Sequence, residues 1–433
     1  MKEHVTHPSE PETRRRRLPV SKGGVFLFLL IICLILAVTG RQIIHAWPRT
    51  SAASPTTGSS QTAAPLQLPG GAALSALNLA GSHTVIYQEQ NHIYTVAVPG
   101  GASHVLNTPG YLYNRAVPAI VTSSKELIYS GNGIWALSLP DGSARQIATF
   151  PSDQVITSLV VSQDGSSLAW SSAPANGNGI TRLYAGSLEH TVQIYQQSAL
   201  KCPCYRAFSF LNQSTTTLLL TNDRGDHRSA HYGLWTLDLS QGTAAQPQEI
   251  LSDADQQGPL ALTAQGNRLL YSTFQGYVPW PTIGAPSDIM SLAYANSLSL
   301  MSIEGKQHQP GKSQVLLPDQ GDLINTQSYH WVDTPQFAPD SQTLAYVEFA
   351  SSSQADFPRQ YALYTADLHG QTATEPQLVV SSTAKYVELG SWLSNSIVTF
   401  YADNALYALD VQQHTVATLV TTGAYAHIVA VIE

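Results

Sequence analysis

From residue 74 to the C-terminus the chain repeats one phrase about seven times, and that phrase limits what it can fold into. Residues 159–170 (LVVSQDGSSLAW) and 335–346 (PQFAPDSQTLAY) show it most cleanly. A short apolar strand meets a polar turn, and a second strand ends near an aromatic. A third strand follows in the manner of 233–239 (GLWTLDL), then another turn and a fourth strand. The second strands end at Tyr87, Tyr129, Trp170, Leu220, Tyr271, Tyr346 and Phe400. The third strands carry Tyr94, Trp135, Tyr184, Trp235, Tyr364 and Tyr407, and in the degenerate copy 298–302 Leu300 stands in the aromatic place. Third-strand positions recur at intervals from the low forties to the mid sixties. Four strands of five or six residues with their turns need about 40 residues, so the interval suits one four-stranded sheet per repeat.

Apolar residues alternate with period 2, as in Val85 and Tyr87 or Leu168 and Trp170, and no long stretch has the 3.6-residue period of a helix. A sheet with two apolar faces must be stacked between neighbours, and a ring of such sheets does this for every copy. The expected fold is all-β: a β-propeller of seven four-stranded blades over residues 74–433, or six if 298–302 is only an insertion. Residues 426–432 (AHIVAVI) follow the last full unit and are expected to pair in the first or last blade, closing the ring.

The strings SQDGSSLAW, APDSQTLAY and AQGNRLLYS resemble the repeat of TolB-like propellers, which also builds the propeller domains of dipeptidyl peptidase IV-type enzymes. The resemblance covers most of residues 74–433 and implies the blade rather than a role, because one fold hosts many functions. TolB adds an α/β domain and has six blades; this chain has no room for the domain and shows seven units. The peptidases add an α/β-hydrolase domain with a G-x-S-x-G elbow, and that motif is missing here.

Residues 1–22 carry six Lys/Arg against three Glu, a net of +3, and an uncharged apolar run of 18 residues follows at 23–40. At 1.5 Å per residue the run spans about 27 Å, close to a hydrocarbon core of roughly 30 Å. The cluster Arg14–Arg17 is expected to stay cytoplasmic, which places everything beyond Arg41 outside. The rival reading is a cleaved signal peptide. It fits less well, since Ala37-Val38-Thr39 is a poor cleavage site and the charged leader is long. We therefore expect a cytoplasmic tail over 1–22, one transmembrane helix over 23–40 and a flexible Pro/Ser/Thr/Ala-rich linker over 41–73. The propeller would then sit outside the cell membrane.

From Gly23 onward 15 Lys/Arg face 26 Asp/Glu, a net of −11, which argues against nucleic acid as a partner. Cys202 and Cys204 form a Cys-x-Cys pair that outside the cytoplasm can close into a small disulfide or stay reduced. Two thiolates alone are too few for a metal. Asp226, His227 and His231 have ligand side chains but fall in an expected loop, so no helical i, i+4 pair forms. No metal, no cofactor and no catalytic motif is expected.

In a propeller the first-to-second and third-to-fourth strand turns share one rim. Here they are tight, as at 163–165, 265–267 and 140–142. The other rim takes the insertions: 106–118 with Tyr111, Tyr113 and Arg115; 222–232 with His227 and His231; 273–297 with Tyr277, Trp280 and Asp288; and 319–334 with Tyr329, Trp331 and Asp333. These aromatics are expected in loops, partly exposed, where long connections on a rigid scaffold usually bind. The inner strands 159–161, 207–209, 260–262 and 336–338 hold almost no acid or base. The expected function is a non-enzymatic binding or scaffold module, tethered through the bilayer and taking a protein, peptide or glycan at this rim. The alternative is a hydrolase or lyase acting on a glycan or peptide in the central channel.

Overall fold

The computed structural model describes residues 66–68, 77 and 82–432, apart from 99, 115–116, 200–203, 212–215, 223–230, 255–256, 264, 278–293, 305–308, 319–327, 353–359 and 383–385. Residues Ala63–Glu433 form one compact unit; the other, Met1–Thr62, lies outside the described residues and includes the expected membrane segment. Among the described residues no helix is long and apolar enough to cross a membrane.

The unit is a ring of seven antiparallel sheets, each with four strands in radial order and two with short additions. The innermost strands, blades one to seven, are Ala426–Ile432, Ile120–Val121, Gln154–Val161, Tyr205–Phe210, Leu260–Leu262, Ser328–Phe337 and Val387–Trp392. Innermost strands of neighbouring blades touch at blades one and two, three and four, five and six, six and seven, and seven and one. The C-terminal strand pairs antiparallel with His83–Glu89 (Tyr87↔Ile428), so the last strand of the chain completes the first blade. Seven is the blade count, and the closure expected from 426–432 is the one observed.

Period-2 alternation makes the ring cohere. Leu218 and Leu220 pack toward blade three while Leu219 packs toward blade five. The core is accordingly seven apolar clusters, each shared by two adjacent blades. The aromatics picked out by the repeat face each other across the second and third strands: Tyr87↔Tyr94, Tyr129↔Trp135, Trp170↔Tyr184, Leu220↔Trp235, Tyr346↔Tyr364 and Phe400↔Tyr407. Four of these pairs stack, at centroid separations of 5.0, 3.9, 5.3 and 5.1 Å. Such cross-strand pairs are the unit of sheet stabilisation. Blade five departs from expectation: Ser299, not Leu300, lies opposite Tyr271. Leu300 is fully buried toward blade six, so the one-residue offset follows from which face the leucine serves.

Part of the span expected as a linker is ordered. Leu66–Leu68 adds a parallel strand to the outer edge of blade six (Leu66↔Val380), and Leu77 is buried between blades seven and one.

Candidate ligand-binding rim

The two rims of the ring differ in chemistry. Most of the described turns joining first to second and third to fourth strands are short, and several are capped by their own aspartates. Asp164 accepts hydrogen bonds from the Ser162 hydroxyl (2.5 Å) and the Ser166 amide (3.0 Å). Asp141 accepts from the Ser143 amide (2.8 Å), Asp340 from the Gln342 amide (2.9 Å) and Asp410 from the Gln412 amide (2.9 Å). Each is an Asx turn, in which a short carboxylate satisfies the backbone two residues on. The donated bonds, from Ser143 and from Ser162 in particular, hold the carboxyls of Asp141 and Asp164 below the usual range.

The opposite rim carries the second-to-third loops and the connections between blades. The 106–119 connection is clamped from below. Gln88, fully buried, donates through Nε2 to the Tyr111 hydroxyl (2.5 Å) and accepts through Oε1 from the Ala119 amide (3.4 Å). Tyr111 meets Tyr129 edge-on at 5.9 Å, and burial pushes its hydroxyl up to about 12. Tyr111 therefore packs the connection down. Its neighbour Leu112 is 60% exposed, and Tyr113 is half-buried.

Several residues expected in loops stand in strands instead. His231 opens the third strand of blade four, His231–Asp238, where it pairs with Gly258. Its Nδ1 lies 3.3 Å from the Thr221 hydroxyl and its ring meets Phe208 edge-on at 5.1 Å. Burial first, and the Arg206 guanidinium second, lower its imidazole to about 3, so it stays neutral. Tyr277 ends the strand Arg268–Tyr277 and pairs with Tyr294. Tyr329, Trp331 and Asp333 belong to the innermost strand of blade six, Ser328–Phe337, opposite Ser351, Phe349 and Val347. Six strands of blades five and six reach 9 to 11 residues, several beyond the usual five or six, and absorb segments that their Gly and Pro neighbours marked as loop. Asp333 is half-buried and accepts from the Thr334 amide (2.8 Å). Arg115, His227, Trp280, Asp288 and Cys202 lie outside the described residues. Cys204 is disulfide-bonded, and its amide donates to Asn222 Oδ1 (2.8 Å).

The inner strands are less bare than their sequences in blades three to six implied. Arg206 is buried on that of blade four, Glu388 on that of blade seven, and His427 lies on that of blade one. Glu388 and His427 meet across the closing seam, with Nδ1 to Oε1 at 2.7 Å. Tyr386 donates to Glu388 Oε2 (2.8 Å), as does Tyr425. Tyr386, Tyr401 and Tyr425 pack against one another around this carboxylate, with centroids 5.0–6.5 Å apart. On the far side Glu89 Oε1 accepts the amides of Gly423 (2.5 Å) and Ala424 (2.8 Å). Two carboxylates thus hold the 422–425 connection from either side. The lone glutamate in the run VELGSW and the alternating position of His427 in AHIVAVI were the only sequence signals for the pair.

No protein-family profile matches the chain, and no curated protein does. Among solved structures it is similar to the periplasmic gluconolactonase of Pseudomonas aeruginosa, at 13% identity and TM-score 0.48, over 81% of this chain and 99% of that one. A protein of Agrobacterium tumefaciens assigned as TolB shares 11% identity at TM-score 0.38, over 70% and 90%. A Bacteroides ovatus protein assigned as a dipeptidyl aminopeptidase IV shares 9% at TM-score 0.43, over 78% and 51%. The TolB-like and peptidase-type propellers to which the repeat pointed are thus among its structural neighbours. Likeness at this level concerns the propeller alone.

Proposed function

We propose that this protein is a non-enzymatic binding module, anchored through residues 23–40 and displaying its propeller outside the cell, with a protein, peptide or glycan ligand taken at the insertion-bearing rim. The observation that carries the reading is the asymmetry of the ring. One rim carries mostly short turns, several closed on their own aspartates as at Asp141 and Asp164, while the longest connections gather on the other. A surface whose polar groups are already satisfied by its own turns has little to offer a partner. The connections of the other rim carry aromatic residues in their sequences, such as Tyr113 and Trp280, the residue type that most often dominates binding energy.

The test uses the full chain in detergent micelles against host envelope fractions. Trp280→Ala with Trp331→Ala should weaken retention of the recovered partner by tenfold or more; Asp141→Ala with Asp164→Ala should not. The reverse result would put the site on the other rim. Topology is tested separately. Protease added to intact cells should digest the propeller, and the protein should stay with membranes after an alkaline carbonate wash. A soluble form starting near Gly40 would refute the anchor.

The Glu388–His427 pair favours a second reading, a hydrolase or lyase working in the channel, because a buried carboxylate orienting an imidazole is a common acid–base device. Turnover of a glycan or peptide that is lost in His427→Gln would support it over simple binding.

A further inference from the structure

We propose that His427 is a ligand-contacting residue of this rim, held by Glu388 in one tautomer so that its Nε2 accepts a hydrogen bond from a hydroxyl of a neutral saccharide. The proposal rests on the insertion-bearing rim being the binding face and names the ligand class.

The argument starts from the carboxylate. Glu388 is 8% exposed, and both its oxygens are engaged: Oε2 by the hydroxyls of Tyr386 and Tyr425, Oε1 by His427 Nδ1 at 2.7 Å. An ionised carboxylate only accepts, so the contact places a proton on Nδ1 and leaves Nε2 to a ligand. The His427 side chain is 26% exposed, and Nε2 has no protein hydrogen-bond partner among the described residues. His427 is the second residue of the innermost strand of blade one, and Glu388 the second of that of blade seven. Both therefore sit at the starting ends of their strands, on the rim that carries the connections between blades. The support is rigid, since Glu89 fixes the 422–425 connection through two amides. An oriented group backed by a satisfied shell is what binding needs.

Chemistry selects the ligand. A metal ion lacks partners, because no group of three His, Cys, Asp or Glu side chains that could hold one occurs among the described residues. An anion would meet the Glu388 carboxylate directly behind the ring. What remains at the open nitrogen is a neutral donor. Half-buried Tyr386 and Tyr425, edge to face at 5.6 Å, share the Glu388 carboxylate with this imidazole. An open ring nitrogen with tyrosines nearby suits the hydroxyls of a sugar.

The experiment takes the full chain in detergent micelles to a printed array of neutral oligosaccharides, followed by titration with the tightest binder. Wild type should bind, His427→Gln should bind at least tenfold more weakly, and Glu388→Gln, which loses the tautomer lock, should follow it. Diethyl pyrocarbonate, which acylates an accessible unprotonated imidazole nitrogen, supplies a readout that survives if a variant fails to fold. In wild type the bound saccharide should protect His427, read by peptide mass spectrometry. Binding unaltered in His427→Gln, His427 acylated at the same rate with saccharide bound, or binding of peptides but of no neutral saccharide would each overturn the proposal. Saccharide binding lost in Trp280→Ala with Trp331→Ala but kept in His427→Gln would remove His427 and leave the rim standing. Loss in Asp141→Ala with Asp164→Ala alone would remove the rim reading itself.

Discussion

Replacing Trp235 with alanine should destabilise the ring by about 3–5 kcal/mol, the usual range for deleting a buried tryptophan. The structure gives the reasons. Trp235 is 6% exposed and packs with Ala169, Leu183, Ala185 and Ile194 of blade three and with Leu218 and Leu220 of its own blade. Its ring meets Tyr205 edge-on at 5.4 Å. The indole also folds back over Gly233, where an added Cβ would lie 2.2 Å from Cη2 and 2.5 Å from Cζ3, and Gly233 has φ +64. Gly233→Ala should therefore cost both the left-handed backbone penalty of roughly 1–2 kcal/mol and the displacement of the indole. In the Trp235→Ala background the backbone penalty and the tight approach to the Asp253 amide, at 3.0 Å, should persist without the indole clash. The double-mutant cycle is read from guanidinium unfolding by circular dichroism. With a denaturant slope of roughly 6 kcal/mol/M, Trp235→Ala should lower the midpoint by roughly 0.5–0.8 M. The two substitutions should couple by about 1 kcal/mol or more. An unchanged midpoint in Trp235→Ala would show that the indole does not join blades three and four. Strict additivity would refute its packing on Gly233.

Gly390→Ala should loosen the closing seam by about 1–3 kcal/mol, because the new Cβ would lie 2.5 Å from Ile428 Cδ1 and 2.6 Å from Thr399 Oγ1. The same unfolding assay checks it, and an unaltered midpoint would mean that blade seven and the C-terminal strand are less tightly joined than described. Stability should fall as pH drops below about 6.5. The His231 imidazole, lowered to about 3 by burial and Arg206, takes up its proton far more readily in the unfolded chain than in the folded one. At pH 5 the loss is up to about 2 kcal/mol, and His231→Gln should flatten this part of the profile. Burial raises the Glu348 carboxyl, so its contribution runs the other way, fully present below its ordinary range and lost as pH rises through it. A pH profile with the same slope in His231→Gln would refute the assignment.

What the sequence disclosed depended on how local the information was. Tyr87 and Tyr94, or Trp170 and Tyr184, are joined by a single loop, and the period-2 pattern on each strand sets which face meets the next blade. Fold, closure and blade boundaries followed from such pairs. Blade five was misphased by one residue because LSLMS alternates Leu with Ser or Met and carries no aromatic to mark its register. The loop positions given to Tyr329 and Trp331 failed because SYHWV is a good strand sequence extended by its partner, a tertiary effect that flanking residues do not report. The Glu388–His427 contact is 39 residues apart in sequence and exists only because the ring closes. Its two halves look unremarkable alone, one acid in an apolar strand and one histidine near the end of the chain.

The central claim, that the insertion-bearing rim is the binding face, is tested most directly by hydrogen exchange on the full chain in micelles, with and without the host envelope fraction. Protection on binding should concentrate in 106–119, 223–230, 278–293 and 422–425, with the turns at 139–143 and 162–166 unaffected. Protection confined to those Asp-capped turns, with the long connections exchanging as before, would contradict the account.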